Sequence, residues 1–172
     1  MHPRQTLFTD ARLGSRLWPS LEALPRGSGV VLRHDELPDD ERERLGIEVA
    51  RLARARGLRL SVAGDVALAV RLGAAMVHRP ATDSVGLPFS LPVHDEREAI
   101  AARQRGAALV YVSPVHPTAS HPGAPALGEA AAIGLARLAG TPAIALGGMD
   151  ARRYRALRAH FAGWAAISAL KA

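Results

Sequence analysis

The sequence contains no cysteine and very few aromatic residues. Without cysteine the chain has no disulfide bond, no thiolate metal ligand and no thiol nucleophile. Aromatic residues make up 4% of the chain and hydrophobic residues 48%, which favours an aliphatic core of helices packed on strands. No apolar run approaches the roughly 20 residues of a membrane span, and the N-terminus lacks the basic and apolar regions of a secretion signal. These absences predict a soluble cytoplasmic protein without a membrane partner.

The positive charge of the chain is spread along the sequence rather than gathered into one basic cluster. The formal net charge is +6, but between residues 39 and 59 the arginines alternate with acidic residues, which is typical of a solvated helix face. A purely basic group within residues 152–158 lies on one predicted helix and has a single aromatic neighbour. The spread of the charge predicts no nucleic-acid partner. The net positive charge is explained equally well by an anionic small-molecule partner.

Short apolar runs alternate with amphipathic segments along the whole chain, which is the pattern of repeated βα units. The predicted strands are 6–8, 30–33, 59–63, 75–78, 89–93, 109–113, 143–146 and 164–167. The predicted helices are 18–24, 39–56, 66–72, 95–105, 129–138 and 151–160. Eight strands without a domain-breaking linker predict a (β/α)8 barrel of the TIM type, and a doubly wound sheet is the alternative.

Residues that favour helix ends fall at the boundaries of these segments. Aspartates at positions 39, 95 and 150 stand where N-caps belong. Glycines follow four of the helical stretches, where the chain needs a positive φ; they are Gly57, Gly73, Gly106 and Gly140. The agreement of both kinds of signal supports the assigned boundaries.

The chain is short for a barrel of this kind. It has 172 residues, whereas a (β/α)8 barrel usually needs about 250. We therefore expect one domain over residues 1–172 with a reduced first helix and a missing C-terminal eighth helix. Aliphatic barrel wall would then be exposed, and this predicts a homodimer that buries it.

The stretch from Val110 to Gly123 combines a buried strand with a loop dense in hydroxyls, imidazoles and prolines. Proline and glycine prevent the strand from continuing. The polar side chains of the loop, His116, Thr118, Ser120 and His121, would therefore lie at a strand end. Strand ends are where α/β enzymes place their chemistry, so this loop is the first candidate site.

Seven stretches of the chain, in order, match the motifs of one known family. They are 7–10 (Leu-Phe-Thr-Asp), 31–33 (Val-Leu-Arg), 74–78 (Ala-Ala-Met-Val-His), 92–99 (Pro-Val-His-Asp-Glu-Arg-Glu-Ala), 113–128 (Ser-Pro-Val-His-Pro-Thr to Leu-Gly), 145–149 (Ala-Leu-Gly-Gly-Met) and 166–170 (Ala-Ile-Ser-Ala-Leu). Together they resemble the thiamine phosphate synthase/TenI family of (β/α)8 barrels over nearly the whole chain.

The resemblance implies a small-molecule partner, a thiazole phosphate or thiamine phosphate. It implies substrate binding by Arg33, Thr118, Ser120, Gly147, Gly148, Ile167 and Ser168. The glycine pair also has a reason of its own, because two residues without Cβ after a strand let backbone N–H groups approach a phosphate closely. The alternative for the pair is a tight turn before the cap at Asp150.

The family synthase joins a thiazole phosphate to a pyrimidine pyrophosphate and uses Mg2+ and basic side chains to hold the leaving pyrophosphate. Several of those residues are replaced here: Val31 stands for a Gln, Asp35 and His121 for lysines, and Ala63-Gly64 for an Asn-Asp pair. Asp65 and Asp83 are the carboxylates nearest to the family's metal ligands. A pyrophosphate needs several fixed cations, so these replacements predict a degraded pyrophosphate and magnesium site.

TenI-type members handle the thiazole phosphate without pyrophosphate, and the implied reaction is a tautomerisation that moves a proton. Histidine suits proton transfer near neutral pH. The family's tautomerase histidine would fall at Pro114, so His116 and His121 are the candidate catalytic residues. Two other functions stay open: a thiamine phosphate synthase, which would use Mg2+ as its cofactor, and a non-catalytic protein that binds thiazole or thiamine phosphate.

Overall fold

A computed structural model of the chain describes residues 2–118, 123, 125–167 and 170. Eight strands form a closed barrel in chain order from β1 to β8. The strand pairs are parallel, as βα repetition requires. The predicted (β/α)8 barrel is confirmed, and the doubly wound sheet is excluded.

The strands and helices follow the predicted segments closely. The strands are β1 Gln5–Thr9, β2 Gly29–Leu32, β3 Arg59–Ala63, β4 Met76–His78, β5 Phe89–Val93, β6 Leu109–Val112, β7 Ala143–Leu146 and β8 Gly163–Ala166. The helices are α1 Leu17–Ala23, which follows a 3-10 segment at Ala11–Arg16, then α2 Asp39–Arg56, α3 Val66–Arg71, α4 Glu96–Gln104, α5 Glu129–Ala139 and α6 Ala151–Leu157. The described residues thus contain fewer helices than strands, as expected. The connection 79–88 between β4 and β5 contains no helix.

Aspartate side chains begin three of the helices. Asp65, Asp95 and Asp150 each accept a hydrogen bond of 2.8 Å from the backbone N–H three residues later, at the starts of α3, α4 and α6. The N-cap predicted at Asp39 is wrong, because Asp39 is the first helical residue of α2 and Pro38 precedes it without a side-chain cap. Asp39 instead lies in an acidic first turn, where negative charge interacts favourably with the helix dipole.

The predicted glycine positions at the helix ends are confirmed. Gly57, Gly73, Gly106 and Gly140 have φ angles of 65°, 62°, 71° and 62°. At Gly57 this conformation allows hydrogen bonds that end α2. The Gly57 N–H donates to the Arg54 carbonyl, and the following Leu58 N–H donates to the Ala53 carbonyl. These bonds satisfy carbonyls that the end of α2 leaves without a helical partner.

The chain divides into two compact units. The N-terminal unit consists mainly of Gln5–Phe89, and its buried core is aliphatic and centred on Leu7, Val30, Leu32, Val49, Val62, Leu68 and Val77. The C-terminal unit consists mainly of Ser90–Ala166, and its buried residues include Val93, Val110, Val112, Ile144 and, on α4 and α5, Ala99, Ala102, Ala132 and Ala139. Neither unit contains, in its described part, a helix long and apolar enough to cross a membrane.

Candidate functional site

The loop after β6 and the glycine pair after β7 lie against each other in the C-terminal unit. The Val115 N–H donates to the Leu146 carbonyl at 2.9 Å, and the His116 N–H donates to the Gly147 carbonyl at 3.1 Å. These bonds continue the pairing of β6 with β7 beyond the strand ends. Backbone bonds therefore hold the first part of the loop after β6, Val115 and His116, against β7 and the residue that follows it.

Both glycines are required by this packing. Gly147 and Gly148 have φ angles of 90° and 60°. A Cβ on Gly148 would lie 2.5 Å from the Pro117 carbonyl oxygen and 2.9 Å from the His116 Cβ, and one on Gly147 would lie 2.7 Å from the Pro114 Cα. The close approach of the loop thus explains the pair without reference to a ligand.

The His116 side chain lies directly beside the glycine pair and is only 18% exposed. Its Nε2 atom is buried and has no hydrogen-bond partner among the described residues. The Glu129 Oε1 atom, on the first residue of α5, lies 3.6 Å from this nitrogen. A protected imidazole near a carboxylate can accept and return a proton.

In the N-terminal unit, Asp10 follows β1 and binds two arginines. Its Oδ2 atom accepts from Arg12 Nε at 3.0 Å and also from Arg33 Nη2, while Arg33 Nε donates to the Thr9 carbonyl at 3.4 Å. Burial opposes ionisation of Asp10, but the hydrogen bond from Arg12 and the charges of Arg33 and Arg12 outweigh it and lower its pKa. Arg33, a predicted substrate-binding residue, is therefore paired with a carboxylate.

Asp35, the residue in place of a family lysine, is also paired with arginines. Its Oδ1 atom accepts from Arg42 Nη2 at 3.0 Å, and its Oδ2 atom lies 3.8 Å from Arg79 Nη2. Four arginines near β1 and β2 (Arg12, Arg33, Arg42 and Arg79) thus pair with Asp10 and Asp35. The acid at position 35 is therefore not left as an unpaired negative charge.

Arg42 is a buried residue that the sequence interpretation missed. The α2 charges were assigned to a solvated face, yet Arg42 is only 9% exposed and donates to the Ala63 carbonyl at 2.7 Å and the Arg33 carbonyl at 2.9 Å. The helical spacing of the sequence indicates this burial. Arg42 precedes the buried Gly46 and Val49 by four and seven residues, so the three residues share one helix face.

Two histidines of the N-terminal unit are buried near strand ends. The Nδ1 atom of His34 lies 3.2 Å from the Thr9 hydroxyl, and burial lowers the pKa of His34. His78 is 7% exposed and contacts the Phe8 ring edge-on, with 5.4 Å between the ring centroids. Burial, with smaller contributions from Arg79 and Arg33, lowers the pKa of His78 to about 3. His78 is therefore neutral near pH 7.

The two predicted magnesium ligands have structural roles. The Asp65 Oδ1 atom caps α3, and the exposed Asp83 accepts from the Val85 N–H at 3.2 Å. Among the described residues no three His, Cys, Asp or Glu side chains come together as a metal site. Magnesium usually keeps several waters and is held by one or two carboxylates together with substrate phosphates, so Asp65 and Asp83 stay predicted ligands.

The remaining predicted site residues are distributed as follows. Thr118 is half-buried at the end of the loop after β6. Ile167 follows β8 and packs against the hydrophobic core of the N-terminal unit. Ser120, His121 and Ser168 lie outside the described residues.

The closed barrel of parallel strands defines a (β/α)8-barrel protein. Histidine, aspartate and arginine side chains follow several of its strands. The family model of thiamine monophosphate synthase matches residues 10–170. The chain belongs to the thiamine monophosphate synthase family.

Solved structures share the fold. Thiamine phosphate pyrophosphorylase from Pyrococcus furiosus is 23% identical, with a TM-score of 0.82 over 96% of this chain and 85% of that chain. A HpcH/HpaI aldolase/citrate lyase family protein from Burkholderia cenocepacia is 13% identical, with a TM-score of 0.65 over 98% and 90%. The YdjI aldolase from Escherichia coli is 12% identical, with a TM-score of 0.67 over 96% and 75%. A comparison with curated protein sequences finds no match.

Proposed function

We propose that this protein is a TenI-like isomerase that binds a thiazole phosphate and moves a proton on the thiazole ring. The observation that carries the proposal is the His116 imidazole, whose Nε2 atom is buried without a hydrogen-bond partner among the described residues. A buried polar atom left unpaired costs free energy, so such atoms commonly have a functional reason. The position of this imidazole, beside the glycine pair that follows β7, is where barrels of this kind commonly bind phosphate.

In the proposed reaction the His116 ring takes a proton from one position of the thiazole and a proton is delivered at another. No atom is gained or lost, and the ring becomes aromatic. The phosphate would be bound by the backbone near Gly148 and by the Thr118 and Ser120 hydroxyls. Ile167 and Ser168 stay predicted substrate-binding residues. His121 is the second candidate for proton transfer. This chemistry needs no metal and no pyrophosphate site.

We expect His116→Asn to lower kcat for thiazole phosphate tautomerisation by at least about 100-fold, because a positioned general base contributes that much. The measurement is the appearance of the aromatic product by absorbance or by NMR. His121→Asn tests the second candidate in the same assay, and His160→Asn, at an exposed position, is the control. Full activity in both the His116 and the His121 variants would exclude catalysis by these two imidazoles. No tautomerisation by the natural chain would leave only the binding function or the synthase.

Thiamine phosphate synthase is the second candidate function, and the arginines around β1 and β2 favour it. Arg42 and Arg79 neutralise Asp35, and Arg12 joins Arg33 at Asp10. For this candidate, these cations take the place of the missing lysines in holding pyrophosphate. Incubation with Mg2+, thiazole phosphate and the pyrimidine pyrophosphate separates the two functions: thiamine phosphate would form only if this candidate is correct.

We also propose that the protein is a single-domain cytoplasmic homodimer. The connection 79–88 lacks a helix, and its Val85 side chain is 72% exposed. In the proposed dimer a second copy covers this stretch and buries the Val85 side chain. Sedimentation at micromolar concentration measures this directly, and a single species with the mass of one chain would exclude the dimer.

A further inference from the structure

We propose that Glu129 is a positioning residue that keeps a proton on Nε2 of His116 and so leaves Nδ1 as the nitrogen that exchanges a proton with the substrate. This inference rests on the proposed function for its catalytic meaning. The pairing of the two side chains can be measured without any substrate.

The geometry around Nε2 leaves one described acceptor for its proton. The atom is buried and lacks a hydrogen bond, and Glu129 Oε1 at 3.6 Å is the carboxylate oxygen paired with it. An ionised carboxylate only accepts hydrogen bonds, so a nitrogen that bonds to it must be the donor. A movement of about 0.6 Å brings the two atoms to an ordinary hydrogen-bond distance. The Glu129 side chain is 49% exposed and therefore has room for that movement.

The backbone fixes the start of α5 against the loop that carries His116. The Leu127 N–H donates to the Pro114 carbonyl at 2.9 Å, and the Gly128 N–H donates to the Val115 carbonyl at 3.1 Å. Glu129 follows directly, as the first residue of α5. The two side chains are thus attached to backbone segments that cannot easily move apart, which is the arrangement that a precise catalytic pair needs.

A neutral imidazole carries its proton on one nitrogen and a lone pair on the other. With Nε2–H directed at the carboxylate, the lone pair is on Nδ1, and this nitrogen is the base. The carboxylate also stabilises the imidazolium that forms when Nδ1 takes up a proton. A buried aspartate does the same for the histidine of a serine protease.

A glutamate in the first turn of a helix also has a simpler explanation, because it interacts favourably with the helix dipole. The chain offers a matched control for this effect. Glu96 is the first residue of α4, is exposed, and has no imidazole partner among the described hydrogen bonds and ion pairs. Glu129→Ala and Glu96→Ala each remove one first-turn acid, but only the first removes a carboxylate beside His116.

The experiment is long-range 1H–15N NMR of the histidine rings in the 15N-labelled protein, at about pH 8.5, where a free imidazole is neutral. We expect the Nε2–H tautomer of His116 to predominate in the natural chain and in E96A. In E129A we expect a mixture of tautomers, with partial recovery in E129D. A proton on Nδ1 in the natural chain, or an unchanged tautomer ratio in E129A, would overturn the proposal.

Kinetics link the same variants to the reaction. With thiazole phosphate we expect E129A to lower kcat at least about tenfold with little change in KM, because Glu129 acts through His116 and not on the phosphate. A rise in KM at unchanged kcat would contradict a positioning role. The tautomer ratio could change as expected while the natural chain does not turn over the thiazole. In that case the proposed function fails, and the pairing of Glu129 with His116 stands.

Discussion

Gly148→Ala is expected to destabilise the protein by roughly 3 kcal/mol, the sum of a left-handed backbone penalty of about 1–2 kcal/mol and an overpacking cost of about 1–3 kcal/mol. The φ angle of Gly148 is 60°, and a Cβ there would lie 2.5 Å from the Pro117 carbonyl oxygen. That contact is to backbone, which cannot rotate away. Urea denaturation followed by circular dichroism measures the loss.

The matched control is Gly106→Ala. Gly106 has a similar φ of 71°, but a Cβ there would meet no heavy atom within 4 Å. Its substitution should cost only the backbone penalty of about 1–2 kcal/mol. Equal losses in the two variants would mean that the loop after β6 does not pack on Gly148 as described.

The second large effect is a loss of stability in acid caused by His78. Its pKa is about 3 in the folded chain and near 6.5 in an unfolded one. Because the folded state disfavours the protonated form, His78 contributes stability above pH 6.5 that is lost as the pH falls towards 3. The expected contribution is about 2 kcal/mol lost between pH 7 and pH 5, and about 4 kcal/mol by pH 3.

His78→Asn removes this titration, so its free energy of unfolding should fall less steeply between pH 7 and pH 5. The slope should not vanish, because burial also lowers the pKa of His34. His160→Asn, at an exposed position, should keep the slope of the natural chain. Denaturant titrations at both pH values provide the comparison, and an unchanged slope in His78→Asn would show that His78 is not buried as a neutral ring.

The elements of the barrel were predictable because their signals are local. Helix α2 occupies Asp39–Arg56, as its periodicity and the following Gly57 predicted, and β3, β5 and β7 have the predicted bounds. The misassigned cap at Asp39 is a local error as well, since an acid in the first turn and an acid at the N-cap look alike in sequence. This error concerns the role of one residue and leaves the bounds of α2 and the fold unchanged.

The partners of the site residues were less predictable, because they are distant in the chain. Arg42 donates to the carbonyl of Ala63, 21 residues later, and its burial depends on where β3 ends relative to α2. Glu129 is 13 residues from His116, and the two meet only because the loop after β6 bonds back to the start of α5. A sequence pattern identifies such residues as polar and does not show which of them are paired.

The fit of the loop against Gly147 and Gly148 affects what relatives of this chain can reveal. Both positions exclude a side chain because of the neighbouring Pro114 and Pro117. A relative that kept this loop but had lost its ligand would still need both glycines in order to fold. The presence of the pair therefore reports the shape of the loop. Under the proposed function, the residues expected to distinguish an active isomerase from an inactive relative are the ionisable ones beside the pair, His116 and Glu129.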